Sequence, residues 1–168
     1  MNQEMPNWCT NSLTLTGKKE WIDALVKKIE TDDEDIFMYL RPCMEDAEWY
    51  SEKWHSWNCD NWGTKWDCSD SHYTEEDKIL QFQTAWACPE KIIAEMKLVF
   101  PDLRFDGSYA DEDFGSNVGN IEDGLLYPLE DLSEEACETA ATLWGHEGYY
   151  DDEKGRWIFD GEEDEDDE

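Results

Sequence analysis

The segment from Ile79 to Tyr109 sets the strongest limit on the fold. Ile79–Trp86 (ILQFQTAW) alternates, placing Leu80, Phe82, Thr84 and Trp86 on one side, and a period of two predicts a strand. Pro89 suits a first helical turn. Glu90–Phe100 then spaces Ile92, Ile93, Met96, Val99 and Phe100 at helical steps, and Pro101 stops the helix. Leu103–Tyr109 reads as a second strand. A strand, a proline-bounded helix and a strand in close succession describe a sheet with a helix packed on it.

The N-terminal half carries a second copy of this logic. Asn11–Thr16 alternates Leu13 and Leu15 with polar residues and ends at Gly17, which predicts a strand. Lys18–Ile29 places Trp21, Ile22, Leu25, Val26 and Ile29 on one helical face. Thr31–Asp35 is an acidic loop, and Ile36–Leu40 fits either helix or strand. Glu45–Asn58 spaces Trp49, Tyr50, Trp54 and Trp57 as a helix, and Trp62–Asp67 (WGTKWD) reads as a strand. The order is strand, helix, strand, strand, helix, strand. It predicts a ferredoxin-like βαββαβ α+β sandwich over residues 1–115, with a Trp-rich helical insertion at about 45–66.

Beyond that core, Asn117–Tyr127 predicts a hairpin about Asp123-Gly124. Ser133–Trp144 predicts a helix closed by Gly145. Tyr149–Tyr150 and Arg156–Phe159, joined by Asp151–Gly155, predict a terminal hairpin. Residues 116–160 are therefore read as an acidic helix-and-hairpin extension packed on the core, and 161–168 as a disordered acidic tail.

Charge narrows function by exclusion. The 168 residues carry 44 Asp and Glu against 13 Lys and Arg, a net charge of −31. Of this, −17 falls in residues 121–168, and Gly161–Glu168 alone has seven acids in eight positions. A direct DNA- or RNA-binding role requires a basic face to replace counterions, and none is present. Anionic membranes and nucleotide messengers are disfavoured for the same reason. No apolar run reaches the ~18 residues of a membrane span, and the N-terminus lacks the basic-then-apolar order of a signal peptide. Mean hydropathy is −0.85, yet ten Trp, seven Tyr and six Phe supply ample core material. The expected location is the cytoplasm of a bacterial host cell. There the six cysteines (Cys9, Cys43, Cys59, Cys68, Cys88 and Cys137) read as free buried thiols, and with no CxxC pair dithiol redox catalysis is unsupported.

Three stretches carry a family resemblance: Met5–Asn11 (MPNWCTN), Asn61–Asp67 (NWGTKWD) and Phe82–Trp86 (FQTAW). Their order and spacing over residues 5–115 resemble the YubB-type ferredoxin-like domain of small phage- and plasmid-encoded proteins. Where that family usually has Pro-Pro after the last stretch, this chain has Cys88-Pro89, and the acidic C-terminal third lies outside the pattern. The resemblance implies the fold and a mobile-element origin. It implies no activity.

Candidate chemistry is sparse. His55-x3-Cys59-x8-Cys68-x3-His72 supplies the two His and two Cys of a tetrahedral zinc site, and His55 and Cys59 share a helical face. Two thiols and two imidazoles without metal are the plainer reading. Trp49, Trp54, Trp57, Trp62 and Trp66 pack a core or line a partner groove. Lys65 among them suits an ion pair or an aromatic face better than catalysis. Neither Asp111–Asp113 nor Asp151–Glu153 fits a calcium loop. No nucleophile motif or phosphate loop appears, so no catalytic residue is assigned and no enzyme is expected.

The acids supply the positive expectation. An excess of this size approaches the charge of a short duplex, at one charge per ~1.7 Å of axis. The chain is therefore expected to be a non-catalytic inhibitor that mimics nucleic acid and binds a basic host defence protein that handles DNA or RNA. The residues expected to make contact are Glu122, Asp123, Glu130, Asp131, Glu134, Glu135, Glu138, Asp151, Asp152 and Glu153. Two alternatives stand beside it: a zinc module on His55, Cys59, Cys68 and His72, and a scaffold whose acidity serves solubility alone.

Overall fold

Strand β1 (Trp8–Thr16) is the axis of the molecule. The computed structural model describes residues 7–31, 36–42 and 52–162, and β1 lies at the centre of a six-stranded sheet. It pairs antiparallel with β3 (Ile79–Ala85) on one side and β4 (Arg104–Asp111) on the other. Outside β3 lies β2 (Ser69–Thr74); outside β4 lie β5 (Val118–Glu122) and β6 (Leu125–Pro128). The sheet order is β2-β3-β1-β4-β5-β6.

Two helices complete split βαβ units. Helix α1 (Lys19–Thr31) follows β1, and the chain returns as β2 with β3 lying between. The short α2 (Ile36–Leu40) and α3 (Glu52–Trp62) interrupt that return. Helix α4 (Glu90–Val99) links β3 to β4 with β1 between them. This is the expected ferredoxin-like α+β arrangement.

Period two divides the sheet into two faces. Cys9, Leu13 and Leu15 of β1, Leu80 and Phe82 of β3, and Phe105 and Tyr109 of β4 point to the helical layer. There they meet Ile22 and Leu25 of α1, Phe37 of α2, Trp62 of α3, and Ile92, Ile93 and Met96 of α4. Each fully buried aliphatic or aromatic side chain contributes about 1.5–3 kcal/mol of transfer free energy. On the opposite face, Ala110 and Val118 receive Ala136 and Ala140 of α5 (Glu134–Trp144). Small residues on both sides bring this helix close, and the Trp144 Nε1–H reaches the Ala110 carbonyl at 3.1 Å. The hairpin of β7 (Gly148–Asp151) and β8 (Arg156–Phe159) packs against α5.

Local signals explain the clean boundaries. The Ser133 hydroxyl caps α5 by accepting the Ala136 N–H at 3.2 Å, and Gly145 closes it at φ 71°. Asp123-Gly124 turns β5 into β6 with φ of 46° and 85°, the left-handed pair that suits a tight hairpin.

Three readings need correction. Trp62–Asp67 is not a strand: α3 runs on to Trp62, and Gly63 at φ 82° donates its N–H to the Asn58 and Cys59 carbonyls at 3.2 Å. The second core strand is instead Ser69–Thr74, whose largely exposed residues suit an edge. Trp86 does not share the face of Leu80, Phe82 and Thr84, because β3 ends at Ala85 and Trp86 turns outward. Pro89 occupies the N-cap of α4, one residue before its first turn. The earlier part of the Glu45–Asn58 helix, with Trp49 and Tyr50, lies outside the described residues, as do Cys43 and 163–168.

Candidate functional site

The described parts of the three stretches, Asn7–Asn11, Asn61–Asp67 and Phe82–Trp86, meet at one end of the sheet. Trp8 sits opposite Ala85 in the β1–β3 register. The Asn11 side chain donates to the Cys9 and Phe82 carbonyls and to the Thr84 hydroxyl at 3.1, 3.3 and 2.9 Å. The Thr64 hydroxyl donates to the Ala85 carbonyl at 2.7 Å. Asp67 accepts the Phe37 and Met38 N–H groups at 2.9 and 3.1 Å, capping the start of α2. Much of the motif set therefore holds the fold together.

What faces solvent there is aromatic. Trp86 is 43% exposed and adopts φ 68°, a left-handed conformation costly for a bulky residue. Its peptide is held from both sides: its N–H donates to the Asn7 carbonyl at 2.8 Å, and its carbonyl accepts Asn117 Nδ2 at 3.1 Å. Asn7 and Asn117 both also donate to the buried carboxylate of Asp111, at 3.3 and 3.4 Å. The Lys65 ammonium lies over Trp86 at 4.6 Å and over Trp66 at 4.7 Å. Trp66 packs on Trp8, and His55 on Trp86. The Trp cluster thus divides. Trp62 is core and Trp57 packs against it, whereas Trp54 and Trp66 belong to this part-exposed patch.

The proposed zinc ligands are not gathered. His55 and Cys59 stand on α3, Cys68 precedes β2, and His72 is exposed on β2 with its ring nitrogen 3.4 Å from the Asp70 carbonyl. Among the described residues, no group of three or more His, Cys, Asp or Glu is placed to hold a metal ion. Burial pushes the Cys9 thiol up to about 12, with the Asp111 carboxylate adding to the effect, and pushes Cys88 well up. Burial thus disfavours the thiolate, the nucleophilic form, at both.

The acids expected to make contact divide by role. Asp123 lies 2.8 Å from the Lys97 ammonium, which holds its carboxyl below the usual range. Asp151 accepts the Glu153 and Lys154 N–H groups at 2.9 and 3.0 Å and shapes the β7–β8 turn. Asp131 accepts the Asn117 N–H at 3.2 Å. Glu135 accepts Asn120 Nδ2 at 2.9 Å, tying α5 to β5. Glu122, Glu130, Glu134, Glu138, Asp152 and Glu153 are exposed. From Val118 onward the described chain has thirteen acids and two bases, and α5 has no base at all. Sequence reasoning found these acids but missed the Asp111–Asn117–Trp86 linkage, whose only linear trace is a lone Asn between Ser116 and Val118.

A family model described as the ferredoxin-like domain in Api92-like protein matches residues 61–168. No curated protein and no solved structure matches the chain. Among the described residues, no helix is long and apolar enough to cross a membrane.

Proposed function

From a chain that belongs to the family of the ferredoxin-like domain in Api92-like protein, we propose a non-catalytic binding protein that presents acids to a basic partner. The partner is a host defence protein that handles DNA or RNA, and the chain inhibits it by standing in for nucleic acid. It works in the bacterial cytoplasm as the product of a phage or plasmid, without a cofactor and without touching nucleic acid itself. The helix and hairpin that follow residue 116 are the extension that carries the contact.

One observation supports this reading above the others. Glu134 and Glu138 stand exposed on a helix without a single base, and the neighbouring hairpin adds exposed Asp152 and Glu153. Such a surface attracts a cationic partner at long range and makes association fast and salt-sensitive. Four acids, Asp123, Asp131, Glu135 and Asp151, also bond within the fold.

Affinity capture from nuclease-treated bacterial lysate, eluted by a salt gradient and read by mass spectrometry, tests the proposal. The expected result is one basic nucleic-acid-binding protein in stoichiometric yield, displaced by duplex DNA. Retention that duplex DNA leaves untouched contradicts the mimic.

A further inference from the structure

The sheet face turned away from α1 and α4 is only partly covered. Helix α5 lies over Thr10, Ala110 and Val118, which are buried. One register step further along, the covering stops. Cross-strand pairing there lines up His72, Gln81, Ser12, Ser108, Asn120 and Tyr127 in a single row across all six strands. Ser12, Gln81 and Ser108 lie in mid-strand at the centre of the sheet, yet remain part-exposed, and Thr14 in the next row is exposed. An antiparallel sheet commonly leaves one face in water, and these positions are polar accordingly. Here they form a shelf of amides and hydroxyls with α5 as its wall.

Carboxylates predominate around this shelf. Glu135 reaches down from α5 to the Asn120 amide, and Glu122 ends β5 at the rim. Asp106 lies in the row beyond Ser108, opposite Thr14. Arg104 sits against Asp106 at 2.6 Å. A neutral floor rich in acceptor oxygens, edged by carboxylates, complements the guanidinium group, a planar cation with five donors and no acceptor.

We infer that this shelf is the docking surface of the molecule, and that it takes an arginine-bearing segment of the basic partner lying across the strands. The inference rests on the acid-presenting function proposed above and adds a place to it. Gln81, Asn120, Ser12 and Ser108 offer hydrogen bonds to the guanidinium groups, Glu122 and Glu135 offer charge, and exposed Tyr127 offers a stacking face at the sheet edge.

The test uses the full chain, a short poly-arginine peptide as probe, and two variants of equal charge change. Ser108→Arg puts a cation on the floor; Leu98→Arg puts one on α4, in the opposite layer, where Leu98 is 74% exposed. Ser108→Arg is expected to weaken peptide binding about tenfold and Leu98→Arg less than about threefold, since the charge change is matched and only its place differs. Amide shifts in the wild-type titration should centre on Ser12, Gln81, Ser108 and Asn120, a readout that stands even if Ser108→Arg fails to fold. Equal weakening by both variants, or shifts confined to the outer side of α5 and the terminal acids, overturns the shelf while leaving the acid-presenting function intact. Absence of salt-sensitive peptide binding to the wild type overturns both.

Discussion

The Asn11 side chain donates to the Thr84 hydroxyl at 2.9 Å, and neither residue has any solvent exposure. The same amide reaches the Cys9 and Phe82 carbonyls, while Thr84 passes its own proton to the Ala87 carbonyl at 2.7 Å. The group thus fastens β1 to β3 where β3 leaves the sheet. Asn11→Ala removes one donor set and leaves buried acceptors without partners, at about 1–3 kcal/mol. Urea unfolding should show a lower midpoint with an unchanged slope.

Tyr109 lies across Gly119, its partner in the β4–β5 register. A Cβ at Gly119 falls 2.5 Å from the Tyr109 hydroxyl oxygen and 2.6 Å from its ring. The ring is buried and has no easy retreat, so Gly119→Ala should cost about 1–3 kcal/mol by overpacking. A smaller residue at 109 removes the clash. In a double-mutant cycle, Gly119→Ala should therefore cost less on a Tyr109→Leu background than alone.

Trp86 tests the strained turn. Glycine accepts φ 68° freely, whereas alanine does not. Both substitutions remove the indole equally, so Trp86→Gly should be more stable than Trp86→Ala by about 1 kcal/mol. Equal stabilities by thermal unfolding would show that the peptide relaxes once the ring is gone.

Alkaline pH should destabilise the fold through buried acids, Cys9 and Tyr109 among them. Burial raises Cys9 from 9.0, and Tyr109 from 10.0, each to about 12. Both are acids whose neutral form the folded state favours, so the unfolded chain releases their protons first. Their contribution is complete below pH 9 and is lost as pH rises from 9 towards 12. The urea midpoint should fall across that window, and Cys9→Ala with Tyr109→Phe should flatten the decline.

The periodic elements were legible because their partners are nearby or their faces uniform. Leu80 and Phe82 alternate into one core, Ser133 and Gly145 mark both ends of α5, and Asp123-Gly124 names its own turn. The second core strand was not legible. Ser69–Thr74 is a polar edge strand with a register shift between Ser69 and His72, so no alternation marks it. The WGTKWD stretch misled because its glycine caps a helix and its alternation serves three separate contacts: Thr64 to Ala85, Lys65 to two indoles, and Asp67 to the start of α2. The acids were visible as composition. Which of them the fold consumes, as Lys97 does Asp123, required the tertiary pairing.

The most direct test of the central claim is the salt dependence of partner binding with Glu134, Glu135 and Glu138 changed together to Gln. The amide at 135 keeps an acceptor for Asn120, so the fold is preserved. At ~0.2–1 kcal/mol for each exposed acid, affinity for the captured basic protein should fall about tenfold at low salt, and the slope of log affinity against log salt should flatten. An affinity and slope equal to those of the wild type would contradict the claim that these acids carry the interaction.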